Sequence, residues 1–222
     1  MATSAWLWQE AQPIFARILD HPFVRGLGDG SLPREKFRFY LCQDYVYLIA
    51  YCRVFALAAA KADDLETMRM FSTLLEETLH TEMDIHRQYA ARFGMAPEEL
   101  ERTEPAPVTV SYTSFLLKTA YAGTIADILA AVLSCQWSYH EIALRLKAAG
   151  NSPADSPYNA WIDAYASDEF GRLVRWLRDK LDALTAHASE AEKARLRDLF
   201  VTGFRFEYLF WEMAWQEARW PL

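Results

Sequence analysis

A chain of 222 residues with a formal net charge of −7 has no electrostatic footprint for a polyanion, which sets direct nucleic-acid binding aside. With 52% hydrophobic and 14% aromatic residues it can bury a large core, and its length suits one helical domain over 1–222 better than two. Three cysteines, Cys42, Cys52 and Cys135, show no CxxC pairing; they form neither a disulfide framework nor a zinc knuckle and suit a reducing, intracellular compartment.

Helix-period apolar spacing begins at 3–19, a stretch without the basic region and cleavable apolar core of a secretory signal. The connection 21–33, "HPFVRGLGDGSLP", places Ser31 to cap the next helix and Pro33 in its first turn. That helix, predicted over 34–61, carries Asp44, Tyr47 and Tyr51 at i, i+3 and i+7, one stripe at about 100° per residue. Leu48, Val54 and Phe55 flank the stripe, so it is expected to face inward. A buried carboxylate is costly unless hydrogen-bonded. The plain reading is a core polar knot in which Tyr47 or Tyr51 caps Asp44; the functional reading is a site.

A third helix is predicted over 64–93, where Glu77 and His80 form an ExxH step followed by Glu82 and His86. Di-iron bundles use that step twice. Here the position three before His140 is Trp137 and the C-terminal helix has no histidine, so the stretch reads as a solvated face and no metal or haem is expected. The proline-bearing connection 102–112 contains "PVTV", which alternates like a short strand.

The next helix, over 112–148, includes the longest apolar run, 120–135, interrupted by Gly123 and Asp127; a membrane span needs roughly 18 uninterrupted apolar residues, so none is expected. Cys135 and Tyr139 share a face at i, i+4 near Ile128, Ala131 and Val132. Alone, such a cysteine packs as a small hydrophobe. Past the connection 148–157, helices are expected over 155–166, 168–187 and 189–218. The last places Phe204, Glu207 and Trp211 at i, i+3 and i+7, with Glu212 and Glu217 facing solvent. Desolvation among these rings is expected to raise the Glu207 pKa, as suits a general acid; the alternative is a surface pair with Arg205. The whole reads as an all-α bundle of about seven helices. An inward thiol, two inward carboxylates and several phenols on three helices describe a pocket for a flat, polar heteroaromatic ring attacked by sulfur.

The chain resembles the TenA family, the thiaminase II or aminopyrimidine aminohydrolase group, through five ordered motifs. They are "HPFVRGLGDGSLPREKFRFYLCQDYVYL" (21–48), "YTSFLL" (112–117), "SCQWSYHEI" (134–142), "YNAWIDAYASDEF" (158–170) and "FEYLFWEMAW" (206–215). The resemblance implies a haem-oxygenase-like fold, no cofactor, a cytoplasmic homotetramer, and hydrolysis of an aminopyrimidine or thiamin in thiamin salvage. It assigns the nucleophile to Cys135, the proton donor to Glu207, assistance of the cysteine to Tyr47, the contact to the aminopyrimidine to Asp44, and further substrate contacts to Tyr51, Tyr112, Tyr139 and Tyr165. Where the family commonly has proline before the cysteine and "YxEIG" after it, this chain has Ser134 and "YHEIA" ending in Ala143. Rival readings are a non-catalytic pyrimidine-binding or regulatory protein and an oxidase on the same scaffold.

Overall fold

A computed structural model describes residues 1–221. In chain order it forms α1 (Thr3–Leu19), α2 (Pro22–Asp29), α3 (Arg34–Lys61), α4 (Leu65–Glu77), a π-helical turn (Thr78–Glu82), α5 (Met83–Arg92) and α6 (Pro97–Glu101). There follow α7 (Pro107–Ala122), α8 (Ile125–Ala149), α9 (Asn159–Tyr165), α10 (Asp168–Leu184) and α11 (Glu190–Gln216). No strand occurs among the described residues, so the all-α expectation holds.

The count of about seven is refined for local physical reasons. The helix expected over 112–148 is two helices: Asp127 accepts from the Thr124 N–H (2.8 Å) and hydroxyl (2.9 Å), starting α8 afresh, while Lys61 Nζ closes α7 by donating to the carbonyls of Tyr121 (2.8 Å) and Gly123 (2.7 Å). "PVTV" is no strand. Pro107 takes the first position of α7, where a missing N–H costs nothing. Ser31 does not cap α3; its N–H and hydroxyl turn back to Asp29 Oδ1 at 2.9 and 2.5 Å, and Pro33 lies just ahead of the helix. The stretch 64–93 is helical nearly throughout but passes through the π turn, which inserts extra chain into the ladder.

The chain divides into two compact units: Met1–Pro33 with Leu129–Trp215, and Arg34–Ile128 with the chain from Gln216 onward. In the first unit, α1 is fastened to α10 where Asp182 accepts from the Ser4 N–H and hydroxyl, both at 2.7 Å. Its apolar face, Leu7, Ala11, Phe15 and Ile18, is buried. Trp8 stacks on Trp137 at 4.3 Å, and the Arg178 guanidinium lies 3.9 Å from the Trp137 ring.

In the second unit α3 is the central element, with α4, α5, α6 and α7 packed around it. Its length and composition alone would allow a membrane span, but 67% of its most apolar stretch is buried within the protein, as expected of a core helix. Gln43 on α3 substitutes for the cap that Ala106 cannot provide to α7. Its Oε1 accepts from the Ala106 N–H (2.9 Å) and the Thr109 hydroxyl (2.6 Å), and its Nε2 donates to the Glu104 carbonyl (3.0 Å). Both lone pairs of Oε1 and one hydrogen of Nε2 are thereby committed, which ties the start of α7 to α3.

Candidate active site

The second unit carries Asp44, Tyr47, Tyr51 and Tyr112, all at most 3% exposed, so the inward stripe expected on α3 is observed. Tyr47 stacks on Tyr51 (centroids 5.3 Å, 25°) and tilts against Tyr112 of α7 (5.0 Å, 43°), bringing these three rings into one cluster. Asp44 is not capped by Tyr47 or Tyr51. Its Oδ2 accepts from the Tyr40 hydroxyl (3.1 Å) and meets His86 Nε2 at 2.7 Å, an ion pair in which both side chains are at most 5% exposed.

His86 owes its position to the π turn. Its Nδ1 donates to the Glu82 carbonyl at 2.9 Å, at the junction between that turn and α5. A carbonyl can only accept, so Nδ1 carries a proton; Nε2 faces a carboxylate, so the doubly protonated ring satisfies both contacts. Burial opposes that charge, but the hydrogen bond and charge of Asp44, joined by Glu82, outweigh it and hold the imidazolium above the ordinary histidine range. The neighbouring His80 is exposed, and no group of three or more His, Cys, Asp or Glu side chains arranged for a metal occurs among the described residues.

The first unit carries Cys135, Tyr139, Tyr165 and Glu207. Cys135 is partly exposed on α8, while Tyr139 one turn later is buried. Tyr139 packs against Tyr165 of α9 (5.1 Å, 66°), Trp161 (5.7 Å) and Trp211 of α11 (5.2 Å, 31°). Glu207 is 1% exposed and lies one turn before Trp211 on the same stripe. The surface pairing with Arg205 is therefore excluded. Glu212 and Glu217 are half-buried, not fully in solvent, and the first of them meets His21.

Ser134, which departs from the common motif, and His140, in the same stretch, acquire structural roles. Ser134 faces Gly203 of α11, where an added Cβ would come within 2.6 Å of the Ser134 Cβ, so α8 and α11 approach closely at these two residues. His140 Nδ1 donates to the Tyr165 carbonyl at 2.7 Å, tying the end of α9 to α8. Of the other thiols, Cys52 is pushed up to about 11 by burial and Cys42 is also raised by burial, which leaves both poorly suited to react as thiolates.

The model of the TENA/THI-4/PQQC family matches residues 8–217. The chain belongs to that family. An aminopyrimidine aminohydrolase of Halalkalibacterium halodurans is 49% identical over 220 residues, covering 99% of this chain and 98% of its own. One of Helicobacter pylori is 43% identical, covering 97% of this chain and all of its own. Among solved structures, a TenA homologue from P. horikoshii OT3 superposes with a TM-score of 0.91 at 35% identity, over 98% of this chain and 100% of that one. A Shewanella denitrificans domain with a heme oxygenase-like fold, 14% identical, has a TM-score of 0.74 over 96% of this chain and 92% of its own, a likeness of fold alone.

The sequence alone missed Tyr40 and His86 as partners of Asp44, and Gln43 as the cap of α7. A signal for His86 existed: Met83, Tyr89 and Ala90, at i−3, i+3 and i+4, are all apolar and all buried, which puts the histidine on the inward face of α5.

Proposed function

We infer that this TenA-family chain is an aminopyrimidine aminohydrolase, a hydrolase of carbon–nitrogen bonds acting in thiamin salvage. It converts 4-amino-5-aminomethyl-2-methylpyrimidine, and thiamin, to the 5-hydroxymethyl pyrimidine. The observation that carries this reading is likeness to the named aminohydrolases along essentially the whole chain.

The mechanism we assign to it uses sulfur to unlock an aromatic ring. Cys135 adds as thiolate to a ring carbon while Glu207 protonates a ring nitrogen, so aromaticity is broken without a free charge on the ring. The exocyclic carbon–nitrogen bond then breaks and the amine, ammonia or the thiazole, leaves. Water adds to the exposed methylene, the thiolate is expelled, and the ring recovers its aromaticity. Asp44 holds the amino group, Tyr47 assists the cysteine, and Tyr51, Tyr112, Tyr139 and Tyr165 line the slot for the ring. The burial of Asp44 supports its role, because charge placed in a desolvated setting acts strongly on a bound ring.

The test follows ammonia and thiazole release from the two substrates by the parent protein and a Cys135→Ser variant. The expected outcome is turnover by the parent and a loss of about a thousandfold or more in the variant, on the scale of removing a catalytic nucleophile. Equal rates would sink nucleophilic catalysis by Cys135. Binding without turnover by the parent would turn the reading to a non-catalytic pyrimidine binder.

As part of the same reading the chain works as one functional domain in a cytoplasmic homotetramer. Leu65, Tyr121 and Leu184, exposed by 65%, 69% and 48%, are apolar side chains that such an assembly would cover. Light scattering should give four times the 25.6 kDa chain mass, and a monomer mass would refute it.

A further inference from the structure

Asp44 brings two oxygens to its surroundings, and the structure treats them unequally. Oδ2 takes both of the carboxylate's hydrogen bonds, from the Tyr40 hydroxyl at 3.1 Å and His86 Nε2 at 2.7 Å. Among the described residues Oδ1 accepts none. His86 cannot swing away to release Oδ2, because its other nitrogen is anchored on the Glu82 carbonyl at 2.9 Å and the ring is 2% exposed. A clamp of this kind fixes which oxygen points at a ligand and keeps that oxygen an acceptor.

We propose that His86 is a positioning residue for specificity: it holds Asp44 as a carboxylate whose Oδ1 accepts an N–H from a 4-aminopyrimidine and repels the carbonyl oxygen of the 4-oxo counterpart. This rests on the reading that Asp44 contacts the substrate. The charged groups facing His86 are Asp44 from α3 and Glu82 from the π turn, with the Tyr40 phenol sharing Asp44. As pH rises through the raised pKa of His86, the ring loses its Nε2 proton, because Nδ1 is kept on the Glu82 carbonyl. A lone pair then faces Oδ2, and the clamp fails.

The experiment measures calorimetric affinity of the full-length protein for the 5-hydroxymethyl-4-aminopyrimidine product and for its 4-oxo analogue, from pH 6 to pH 10. The parent is compared with His86→Phe, His86→Gln and Asp44→Asn, each checked for folding by circular dichroism. The parent should prefer the amino ligand and lose that preference toward alkaline pH. The phenylalanine variant should bind the amino ligand about tenfold or more weakly, the worth of one charge-assisted hydrogen bond, with little change for the oxo analogue. Glutamine, which can still donate to Oδ2 but does not titrate, should keep part of the preference and lose the alkaline decline. If the phenylalanine variant does not fold, the glutamine variant decides.

Parent-like preference in the His86 variants, equal weakening of both ligands, or an alkaline decline that survives in His86→Gln would overturn the proposal. Asp44→Asn separates the two layers. If it keeps the parent's preference, the assignment of Asp44 to the ligand falls and takes the proposal with it. If it abolishes the preference while the His86 variants retain it, the role of His86 alone is refuted.

Discussion

His86 and His21 are the two buried histidines of this protein that meet a carboxylate, one in each compact unit, and they are held in opposite protonation states. The separations hardly differ, 2.7 Å from His86 to Asp44 and 2.9 Å from His21 to Glu212. What differs is the second ring nitrogen and the water around the partner. His86 Nδ1 donates to a carbonyl, whereas His21 Nδ1 accepts the Phe23 N–H as the cap of α2 and therefore carries no proton. The side chain of Asp44 is 5% exposed and that of Glu212 40%. Burial lowers the pKa of His21 and the half-solvated Glu212 does not make up the loss, while the buried Asp44 more than compensates for the burial of His86. A carboxylate stripped of water is the stronger counter-charge, and the backbone group on the far side of the ring settles which form fits.

The largest effect expected from this contrast is at Asp44. Replacing it with asparagine leaves an imidazolium buried without its counter-charge, a kind of change that costs about 3–5 kcal/mol. Urea unfolding should register that loss near pH 6 and a smaller one near pH 9, because His86 can escape by releasing its proton. The sign follows from linkage. The folded-state pKa of His86 is raised, so its stabilising contribution is fully present below the ordinary histidine value and is lost as pH climbs through the raised one. A loss independent of pH would mean that His86 is neutral and the pair an ordinary hydrogen bond.

How much of this was legible in the sequence depends on the range of each interaction. The inward faces of Asp44, Tyr47 and Tyr51, and of Phe204, Glu207 and Trp211, follow from helical phase alone, and all six are buried as phase requires. The partner of Asp44 did not follow, because 42 residues separate it from His86 and only tertiary packing joins them. Phase also pointed to the wrong phenol. The hydroxyl that caps Asp44 comes from Tyr40, one turn earlier, while Tyr47 and Tyr51 use their rings to stack. The break at Gly123 was blurred because apolar residues continue on both sides; the Thr124 and Asp127 cap that makes the break is a local polar signal inside an apolar run. "PVTV" misled for the complementary reason: β-branched residues favour strands, but Pro107 at a helix start and a borrowed cap from Gln43 override that preference.

The smaller effects lie at His21, and their pH dependence should be the mirror image of the one at Asp44. His21→Ala removes the cap of α2 and should cost about 1 kcal/mol, whereas His21→Asn, which restores an acceptor at that position, should recover most of it. Glu212→Gln should change stability least. At neutral pH it removes a pair that is half in water, worth about 0–1 kcal/mol. Its signature is on the acid side. The folded-state pKa of His21 is already lowered, so its contribution is present above the ordinary histidine value and is lost as pH falls. Taking away the carboxylate that partly props that pKa up widens the gap between folded and unfolded states, so the variant should lose stability more steeply than the parent between about pH 6.5 and pH 5. Thermal melts across that window decide the matter: parallel curves would show that Glu212 exerts no pull on His21, and the contrast between the two histidines would then rest on their backbone contacts alone.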